Sequence, residues 1–367
     1  MTIMGKGPNA LRISIQGNCD RKKDIMGKSS ETSKISTTVD FTARGKQLGH
    51  LTVPHSTNRS AWGAIEIPVA VISGDPGPTV FFTGANHGDE YEGPIALTKL
   101  ARTLKADQVQ GTVIIMPALN LPAFRAAQRL SPIDGANMNR AFPGQRDGTV
   151  TSMIAHFVST KILPLSDVVV DIHAGGKTLN FVPSAVIHEL DDKQQMAKTR
   201  AVLEAFGAPV GLILRELDSA GMLDTTVEDM GKVFLSTELG GGGTSSPETV
   251  ALAEIGVRNI LAHCGVLDEA PLGRTDRGLA PTRLMHTPDG LCFTSALDNG
   301  LYEPFKDLGE NVEEGEALGQ LHFIETPERD PVIHEAQRSG MILCKGVPGL
   351  VAKGDCLAVI AQDYEGA

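Results

Sequence analysis

The stretch Pro78-Thr-Val-Phe-Phe-Thr-Gly-Ala-Asn-His87-Gly-Asp-Glu90-Tyr-Glu-Gly93 places a histidine and a glutamate directly after an apolar run. The run predicts a buried strand that ends at a turn into a helix. His87 and Glu90 are three residues apart at this turn, so an imidazole nitrogen and a carboxylate oxygen can converge on one side of the chain. The stretch therefore predicts two of the three protein ligands of a divalent ion such as Zn²⁺.

The spacing alone is weak evidence, because a chain with ten histidines contains about one His-x-x-Glu by chance. A second copy is present at His322-Phe-Ile-Glu325. It lies in a segment with strand-like alternation and has no Asn-Arg pair or further histidine nearby, which favours a structural role. The first copy is distinguished from the second by the other candidate site residues that accompany it in the sequence.

The candidate for a third ligand is His173, which follows the β-branched run at 168–172 and precedes Gly175 and Gly176. Sites in open α/β sheets assemble where strands reach their carboxyl ends. We therefore expect His87, Glu90 and His173 to face one crevice. For either histidine taken singly, a satisfied core or surface imidazole is the ordinary alternative.

A Pro/Gly-bounded loop at 129–144 contains Asn139 and Arg140. A planar guanidinium beside a side-chain amide is suited to binding a carboxylate, because the guanidinium donates two parallel hydrogen bonds. The alternative is that Arg140 only ties the loop to a neighbouring carbonyl or acid.

A third strand-like run ends at Glu238 and is followed by Gly240 to Gly243. Glycines allow the backbone to pass close to a ligand without a Cβ clash. A phosphate-binding loop is disfavoured because no Lys-Ser/Thr pair follows, and a plain flexible loop is the stronger alternative.

In their order along the chain, His87-x-x-Glu90, Asn139-Arg140-Ala-Phe-Pro-Gly144 and His173 resemble the zinc carboxypeptidase superfamily, specifically its succinylglutamate desuccinylase/aspartoacylase branch. The resemblance covers nearly the whole chain beyond residue 35. It implies one Zn²⁺ held by the two histidines and the glutamate. It also implies that Glu238 is the general base and then acid of amide hydrolysis, and that Asn139 and Arg140 bind a substrate carboxylate.

By the same resemblance, Arg129 stabilises the oxyanion, with Arg125 as the alternative because Arg129 lies farther from the Asn-Arg pair here than in aspartoacylases. Many members of the superfamily have an aspartate two residues before that pair, where it orients a zinc-bound histidine. This chain has Asn137, whose amide oxygen still accepts an imidazole N–H but adds no charge.

Within the family, segments 134–144 and 237–243 are most similar to the ectoine-utilisation deacetylases, which act on N-acetyl-2,4-diaminobutyrate. The resemblance implies hydrolysis of a small N-acyl amino acid. A cationic substrate amine requires an acidic partner, for which Asp134, Glu189 and Asp191 are candidates. A metallo-carboxypeptidase and a non-catalytic binding protein on the same scaffold are the alternatives from other classes.

Composition fits a cytoplasmic enzyme of 367 residues. The net charge of -11 argues against nucleic acid and anionic membranes as partners. Five cysteines without a Cys-x-x-Cys pair indicate neither a disulfide framework nor a thiolate metal site. No apolar stretch reaches the roughly 18 residues of a membrane span.

Strand-like and helical patterns alternate, which predicts an α/β fold with a mixed sheet flanked by helices. The strands are predicted at 65–73, 78–84, 112–118, 166–172, 183–188, 210–214 and 232–238, and the helices at 93–105, 147–162, 191–206 and 246–265.

Three regions are predicted: a polar leader at 1–34, a zinc hydrolase domain at 35–275 and a smaller all-β domain at 276–367. We expect the leader to be disordered or to cover a neighbouring subunit of a homo-oligomer, and Met26 is an alternative start. Frequent turn signals make the last region all-β, similar to a lipoyl-type barrel sandwich. It lacks the Met-Lys-Met hairpin of carrier domains, so we expect it to form a wall or lid of the pocket.

Overall fold

A computed structural model of the chain describes residues 32–215 and 220–366. Almost all of the predicted leader, including Met26, lies outside the described residues. In the described part, the α-helices are α1 (Glu92–Thr103), α2 (Leu121–Ala126), α3 (Val150–Phe157), α4 (Lys193–Phe206), α5 (Leu223–Glu228) and α6 (Pro247–His263). A π-helical turn, Val158–Ile162, extends α3, and short 3₁₀ turns occur at Ala106–Gln108, Met138–Arg140, Leu163–Leu165, Thr275–Arg277 and Gly290–Cys292.

The strands in the described part form two sheets. The larger sheet contains β1 (Ser36–Thr37), β2 (Gly45–Pro54), β3 (Ala64–Ser73), β4 (Asp75–Gly84), β5 (Gln110–Met116), β6 (Val168–Ile172), β7 (Leu179–Phe181), β8 (Ser184–His188), β9 (Val210–Leu214), β10 (Val233–Glu238), β11 (Arg283–Thr287), β12 (Phe293–Ser295), β14 (Asn311–Val312), β17 (Gly340–Gly346) and β19 (Cys356–Asp363). The smaller sheet contains β13 (Gly300–Pro304), β15 (Ala317–His322), β16 (Val332–Glu335) and β18 (Leu350–Val351).

The centre of the larger sheet is parallel and its margins are mixed. β4 pairs in parallel with β5 on one side and with β6 on the other, and β10 continues the parallel run beside β6. β8 then pairs antiparallel with β10. The carboxyl ends of β4, β6 and β10 consequently lie at one edge, where the predicted site residues follow each strand.

Helices cover both faces of this sheet. Side chains alternate in β4, so that Phe82 packs into a core with α1, α4 and α6, while Phe81 packs into a second core with α2, α3 and α5. Both rings are fully buried. The prediction of a mixed sheet flanked by helices is confirmed.

All seven predicted strands and all four predicted helices are present with end shifts of a few residues, and α3 ends earlier because its last turn is π-helical. Helix α6 begins as predicted, since Ser246 Oγ accepts the backbone N–H of Thr249 at 3.1 Å and Pro247 occupies the first turn. The sequence analysis missed β2, a ten-residue strand that pairs with β3 along its whole length.

A β-rich C-terminal domain follows, as predicted. Its smaller sheet packs on β14, β17 and β19 through a compact apolar cluster that includes Leu318 and Ile342. The larger sheet continues across the predicted boundary at 275/276, because β11 pairs in parallel with β9 and antiparallel with β19. The division at that boundary stays a prediction.

None of the helices within the described residues combines the length and the apolar character that crossing a lipid bilayer requires.

Candidate metal and substrate site

The three predicted metal ligands lie together at the edge formed by β4 and β6. Within the described residues, one ligand atom from each of His87, Glu90 and His173 lies within 4.8 Å of the other two, and all three residues are buried. Glu90 stands between the rings: Oε1 is 2.8 Å from His87 Nδ1, and Oε2 is 2.9 Å from His173 Nδ1. Two imidazole nitrogens and one carboxylate are a donor set that Zn²⁺ takes in catalytic sites.

The local backbone explains why His87 turns into this site. β4 ends at Gly84, and Ala85 then adopts φ +48°, a left-handed conformation that is rare for a residue with a Cβ. The carbonyl oxygens of Gly84 and Ala85 accept the backbone N–H groups of Leu119 and Asn120 at 2.9 and 3.0 Å. These bonds hold the bend and aim the next residues toward the end of β6.

A polar group behind each histidine fixes its ring. His87 Nε2 is 3.1 Å from Asn137 Oδ1, and that oxygen also accepts the backbone N–H of Asn139 at 3.0 Å. His173 Nε2 is 2.8 Å from Asp171 Oδ2. Because these oxygens only accept, each Nε2 carries a proton, so the Nδ1 atoms that face Glu90 are the ring atoms that would ligate an ion once they are deprotonated. The residues present therefore fit a zinc ion, and the expected role of Asn137 as an uncharged substitute agrees with its position.

Charges in this cluster shift its acid-base properties. Burial would lower the pKa of His173, yet the carboxylates of Asp171 and Glu90 raise that pKa well above its ordinary value. Burial would raise the pKa of Glu90, and the cationic imidazoles of His173 and His87 bring it below its ordinary value. The buried carboxylates of Glu90 and Asp171 thus stabilise positive charge between them.

Glu238 ends β10 beside this cluster. Burial, reinforced by the nearby negative charge of Glu90, raises the pKa of its carboxyl to about 8. Its Oε2 is buried and has no hydrogen-bond partner among the described residues. A buried oxygen without a partner is costly unless a ligand, a water molecule or an ion satisfies it, so Glu238 has the environment expected of a functional carboxylate.

The glycine run after Glu238 is needed for a close approach of two loops. Gly241 adopts φ +146°, and a Cβ at this position would lie 2.0 Å from the backbone oxygen of Leu179. Gly243 donates its N–H to the carbonyl of Gly176 at 2.6 Å, which ties this loop to the one that follows His173. Gly241 is therefore required for this close approach.

Arg129 lies beside the three predicted metal ligands. Arg125 is not among the described residues that line the adjoining cavity. Arg129 Nη1 is 3.3 Å from His87 Nδ1 and 3.8 Å from Glu90 Oε1, and its side chain is about half exposed. Of the two arginines, Arg129 is therefore the one placed beside the predicted metal ligands.

Asn139 and Arg140 line the same cavity as His87, His173 and Glu238. Arg140 Nη1 donates to the carbonyl of Asn139 at 2.7 Å, and Asn139 Oδ1 accepts the backbone N–H of Leu223 at 3.0 Å. With its oxygen engaged, Asn139 has its Nδ2 hydrogens to offer, so the pair presents donors suited to a carboxylate.

The cavity has a volume of about 430 Å³, within the usual range for small-molecule sites. Much of its remaining wall is apolar, and the C-terminal domain contributes Phe293, Leu343, Cys356 and Val359. The expectation that this domain forms a wall of the pocket agrees with these contacts.

The proposed acids for a substrate amine lie elsewhere. Asp134 accepts from the backbone and hydroxyl of Thr151 at 2.9 and 2.8 Å, and Glu189 pairs with Arg215 at 3.3 Å. Neither these two nor Asp191 belongs to the described lining of the cavity, whereas Asp224 does.

Sequence reasoning missed several other residues of the site. Asp171 was recognisable, because it stands two residues before His173 in one strand and therefore points to the same side. His188 ends β8, which runs antiparallel to β10, so its strand end lies at the opposite edge from Glu238 and the strand-end argument does not predict it. Asp224 carries no sequence signal, since it lies in a short helix that the pattern does not reveal.

Comparisons with known proteins agree with this geometry. Residues 76–264 match the model of the succinylglutamate desuccinylase/aspartoacylase catalytic domain. The chain is 45% identical over 333 residues to an N-alpha-acetyl-L-2,4-diaminobutyric acid deacetylase from Halomonas elongata. The aligned residues cover 91% of this chain and 96% of that protein. The product-bound structure of the ectoine utilization protein EutE (DoeB) from Ruegeria pomeroyi is 46% identical with a TM-score of 0.87, covering 90% of this chain and 99% of that one. A succinylglutamate desuccinylase/aspartoacylase structure from Rhodobacter sphaeroides is 41% identical with a TM-score of 0.88, covering 91% and 100%.

Proposed function

Because the chain belongs to the succinylglutamate desuccinylase/aspartoacylase family, we propose that it is a zinc-dependent deacylase of a small N-acyl amino acid. The proposed substrate is N-acetyl-L-2,4-diaminobutyrate, and the products are 2,4-diaminobutyrate and acetate. The name of the Halomonas elongata relative supports this substrate, and the name of the Ruegeria pomeroyi protein supports a place in ectoine utilisation. The observation that carries the proposal is the convergence of His87, Glu90 and His173 beside a cavity lined by Glu238.

In this proposal, His87 and His173 hold the ion through Nδ1, and Glu90 holds it through its carboxylate. When bound there, zinc supplies Lewis acidity, which polarises an acyl carbonyl and makes water more acidic. Asn137 and Asp171 keep both rings in the orientation and tautomer that ligation requires.

Glu238 moves the proton. Its buried Oε2 takes a proton from the attacking water and passes it to the amide nitrogen, which leaves as the amine. The Glu238 carboxyl must be ionised to accept that proton. A cation held by His87, Glu90 and His173 would favour its ionised form. General acid-base catalysis of this kind contributes about 10²–10⁴-fold to the rate.

Arginines and an amide position the substrate. Arg129, beside His87 and Glu90, stabilises negative charge on the acyl oxygen as the tetrahedral intermediate forms. Asn139 and Arg140 bind the substrate α-carboxylate. The cavity of about 430 Å³ suits an acylated amino acid, and its C-terminal wall disfavours a long peptide. We expect the enzyme to act in the cytoplasm on a free metabolite, without a membrane or nucleic acid partner.

The test is a substrate screen on purified protein of known metal content. N-acetyl-L-2,4-diaminobutyrate should be hydrolysed with a higher kcat/KM than N-acetyl-L-aspartate, N-succinyl-L-glutamate or a peptide with a free C-terminus. Activity should disappear with a chelator and return with zinc. Preferred cleavage of the peptide would replace the proposal with a carboxypeptidase, and a zinc-loaded protein that hydrolyses none of the four would refute it.

A variant pair tests the role of Glu238. Glu238→Gln should keep bound zinc and lower kcat by about 10²–10⁴-fold. The matched control is Glu325→Gln, which changes the exposed glutamate of the second His-x-x-Glu copy and should retain full activity. Full turnover by Glu238→Gln would contradict the mechanism.

A further inference from the structure

Thr237 is a fully buried threonine whose hydroxyl makes two hydrogen bonds to the backbone of His173. Its Oγ1 accepts the N–H of His173 at 3.1 Å and donates to the carbonyl of the same residue at 3.0 Å. We propose that Thr237 is a positioning residue, whose hydroxyl fixes the predicted metal ligand His173 relative to the proposed base, Glu238. This inference rests on the proposed deacylase function and adds a residue on which its rate depends.

The strand pairing alone does not hold the ligand beside the base. The parallel register of β6 with β10 ends at Asp171 and Ser236, whereas β10 continues to Glu238 through its pairing with β8. His173 therefore lies beyond the last paired residue of β6, and its buried backbone N–H and carbonyl need other partners. A hydroxyl has one hydrogen to donate and lone pairs to accept with, so Thr237 serves both groups.

Further backbone bonds connect the surroundings of His173 to the site. Leu239 donates its N–H to the His173 carbonyl at 3.1 Å, and Ala174 donates its N–H to Glu90 Oε2 at 3.1 Å. The chain around His173 is thus bonded to another predicted metal ligand and to the residues on both sides of Glu238. Loss of one connection should change the position of the base relative to the ligands.

A displacement of this kind should affect the chemical step more than substrate binding. The base must lie within hydrogen-bond reach of the attacking water, and a misplacement of about 1 Å can lower a rate by about 100-fold. The residues proposed to bind the substrate carboxylate, Asn139 and Arg140, belong to a different segment of the chain. Loss of the Thr237 hydroxyl should therefore lower kcat and leave KM nearly unchanged.

Two substitutions separate the hydroxyl of Thr237 from its methyl group. Thr237→Val keeps the shape of the side chain and removes both hydrogen bonds, whereas Thr237→Ser keeps the hydroxyl and removes the methyl group. The assay uses N-acetyl-L-2,4-diaminobutyrate, and rates are expressed per bound zinc. Thr237→Val should lower kcat by about 10- to 100-fold with KM changed by less than about threefold. Thr237→Ser should keep kcat within about threefold of the wild-type value, whereas a role in packing alone would make the serine variant the poorer enzyme.

Thr199→Val is the matched control. Thr199 is equally buried, lies in α4, and its hydroxyl has no hydrogen-bond partner among the described residues. This variant should retain the wild-type kcat. Urea unfolding of the metal-free proteins gives a second readout that does not depend on activity. Thr237→Val should lower the midpoint, because the buried N–H of His173 loses an acceptor, and Thr199→Val should not lower it.

The inference is supported if kcat falls in Thr237→Val and is retained in Thr237→Ser. Full kcat in the valine variant, or a larger loss in the serine variant, overturns it, although the proposed deacylase function would stand. Equal unfolding midpoints for Thr237→Val and Thr199→Val also overturn it. A zinc-loaded wild-type protein that hydrolyses no N-acyl amino acid overturns the proposed function and this inference with it. If the valine variant does not fold, Thr237→Ser and Thr237→Ala, which differ only in the hydroxyl, provide the same comparison.

Discussion

Replacing Asp171 with asparagine should weaken zinc binding by about 10- to 100-fold, the usual effect of losing an outer partner of a ligating histidine. Asp171 Oδ2 accepts from His173 Nε2 and from Asn86 Nδ2, each at 2.8 Å. An asparagine oxygen can take this place and keep both bonds, so the change removes chiefly the negative charge behind the ring. The expected loss corresponds to about 1.4–2.7 kcal/mol of binding free energy.

The opposite change is available at the other histidine. Asn137→Asp would place a carboxylate behind His87, where an amide oxygen now accepts at 3.1 Å. A charged acceptor raises the basicity of the ring. We expect tighter zinc binding by up to about tenfold, a smaller effect than at Asp171 because the bond is longer and Asn137 is only partly buried.

Competition with a chromophoric zinc chelator near neutral pH measures both changes. The zinc dissociation constants should increase in the order Asn137→Asp, wild type, Asp171→Asn. Asn58→Asp and Asp229→Asn make the same chemical changes at exposed positions and should leave affinity unaltered. Equal dissociation constants in folded Asp171→Asn and wild-type proteins would refute the idea that the charge behind His173 strengthens the ligand.

Three further outcomes are expected. Arg129→Ala should lower kcat by about 10²–10³-fold with a smaller change in KM, whereas Arg125→Ala should change neither by more than about twofold in steady-state assays. An effect of equal size at both arginines would argue against an oxyanion role. Gly241→Ala should cost at least about 2 kcal/mol in chemical denaturation, because its Cβ would clash with a backbone oxygen of β7. Gly242→Ala, at φ +74° with nothing within 4 Å, should cost about 1 kcal/mol, and a larger loss there than at Gly241 would contradict the clash. The pKa of Glu238 is raised to about 8 from an ordinary value of 4.5, so the folded metal-free protein holds a proton that the unfolded chain releases. The stabilisation is complete below about pH 4.5 and is lost as pH rises through about 8, so the Tm of the wild-type protein relative to Glu238→Gln should fall over this range, and a constant difference would contradict the shift.

Strand-end reasoning predicted the centre of the site because local sequence determines it. The apolar runs before His87, His173 and Glu238 have the length and composition of buried strands, and parallel neighbours bring their ends together. The long strand β2 was missed because Gly45–Pro54 carries glycines and polar residues, and half of its side chains are only partly buried. Its pairing with β3 along ten residues, a tertiary interaction, determines its conformation.

The carboxylates considered for binding a substrate amine show a different limit of prediction from sequence. Asp134 precedes the Asn139-Arg140 pair in sequence, yet its carboxylate accepts from Thr151 near the start of α3. Asp224 is distant in sequence and enters the cavity because the N-terminus of α5 is hydrogen bonded to Asn139. Sequence proximity did not indicate that Asp224 lines the cavity, since a contact across 84 residues, from Leu223 to Asn139, brings its helix there.

Comparison of the two His-x-x-Glu copies shows that residue spacing alone does not make a metal site and that the surrounding fold is also needed. At His322 the ring nitrogen pairs with Glu303 on the neighbouring strand, and both side chains are substantially exposed to solvent. The strand ends at His322, and Glu325 lies in the exposed turn that follows. At His87 the chain turns through Ala85 into a helix, both groups are buried, and the next parallel strand supplies His173. Spacing becomes a metal site only where a turn, burial and a neighbouring strand end coincide.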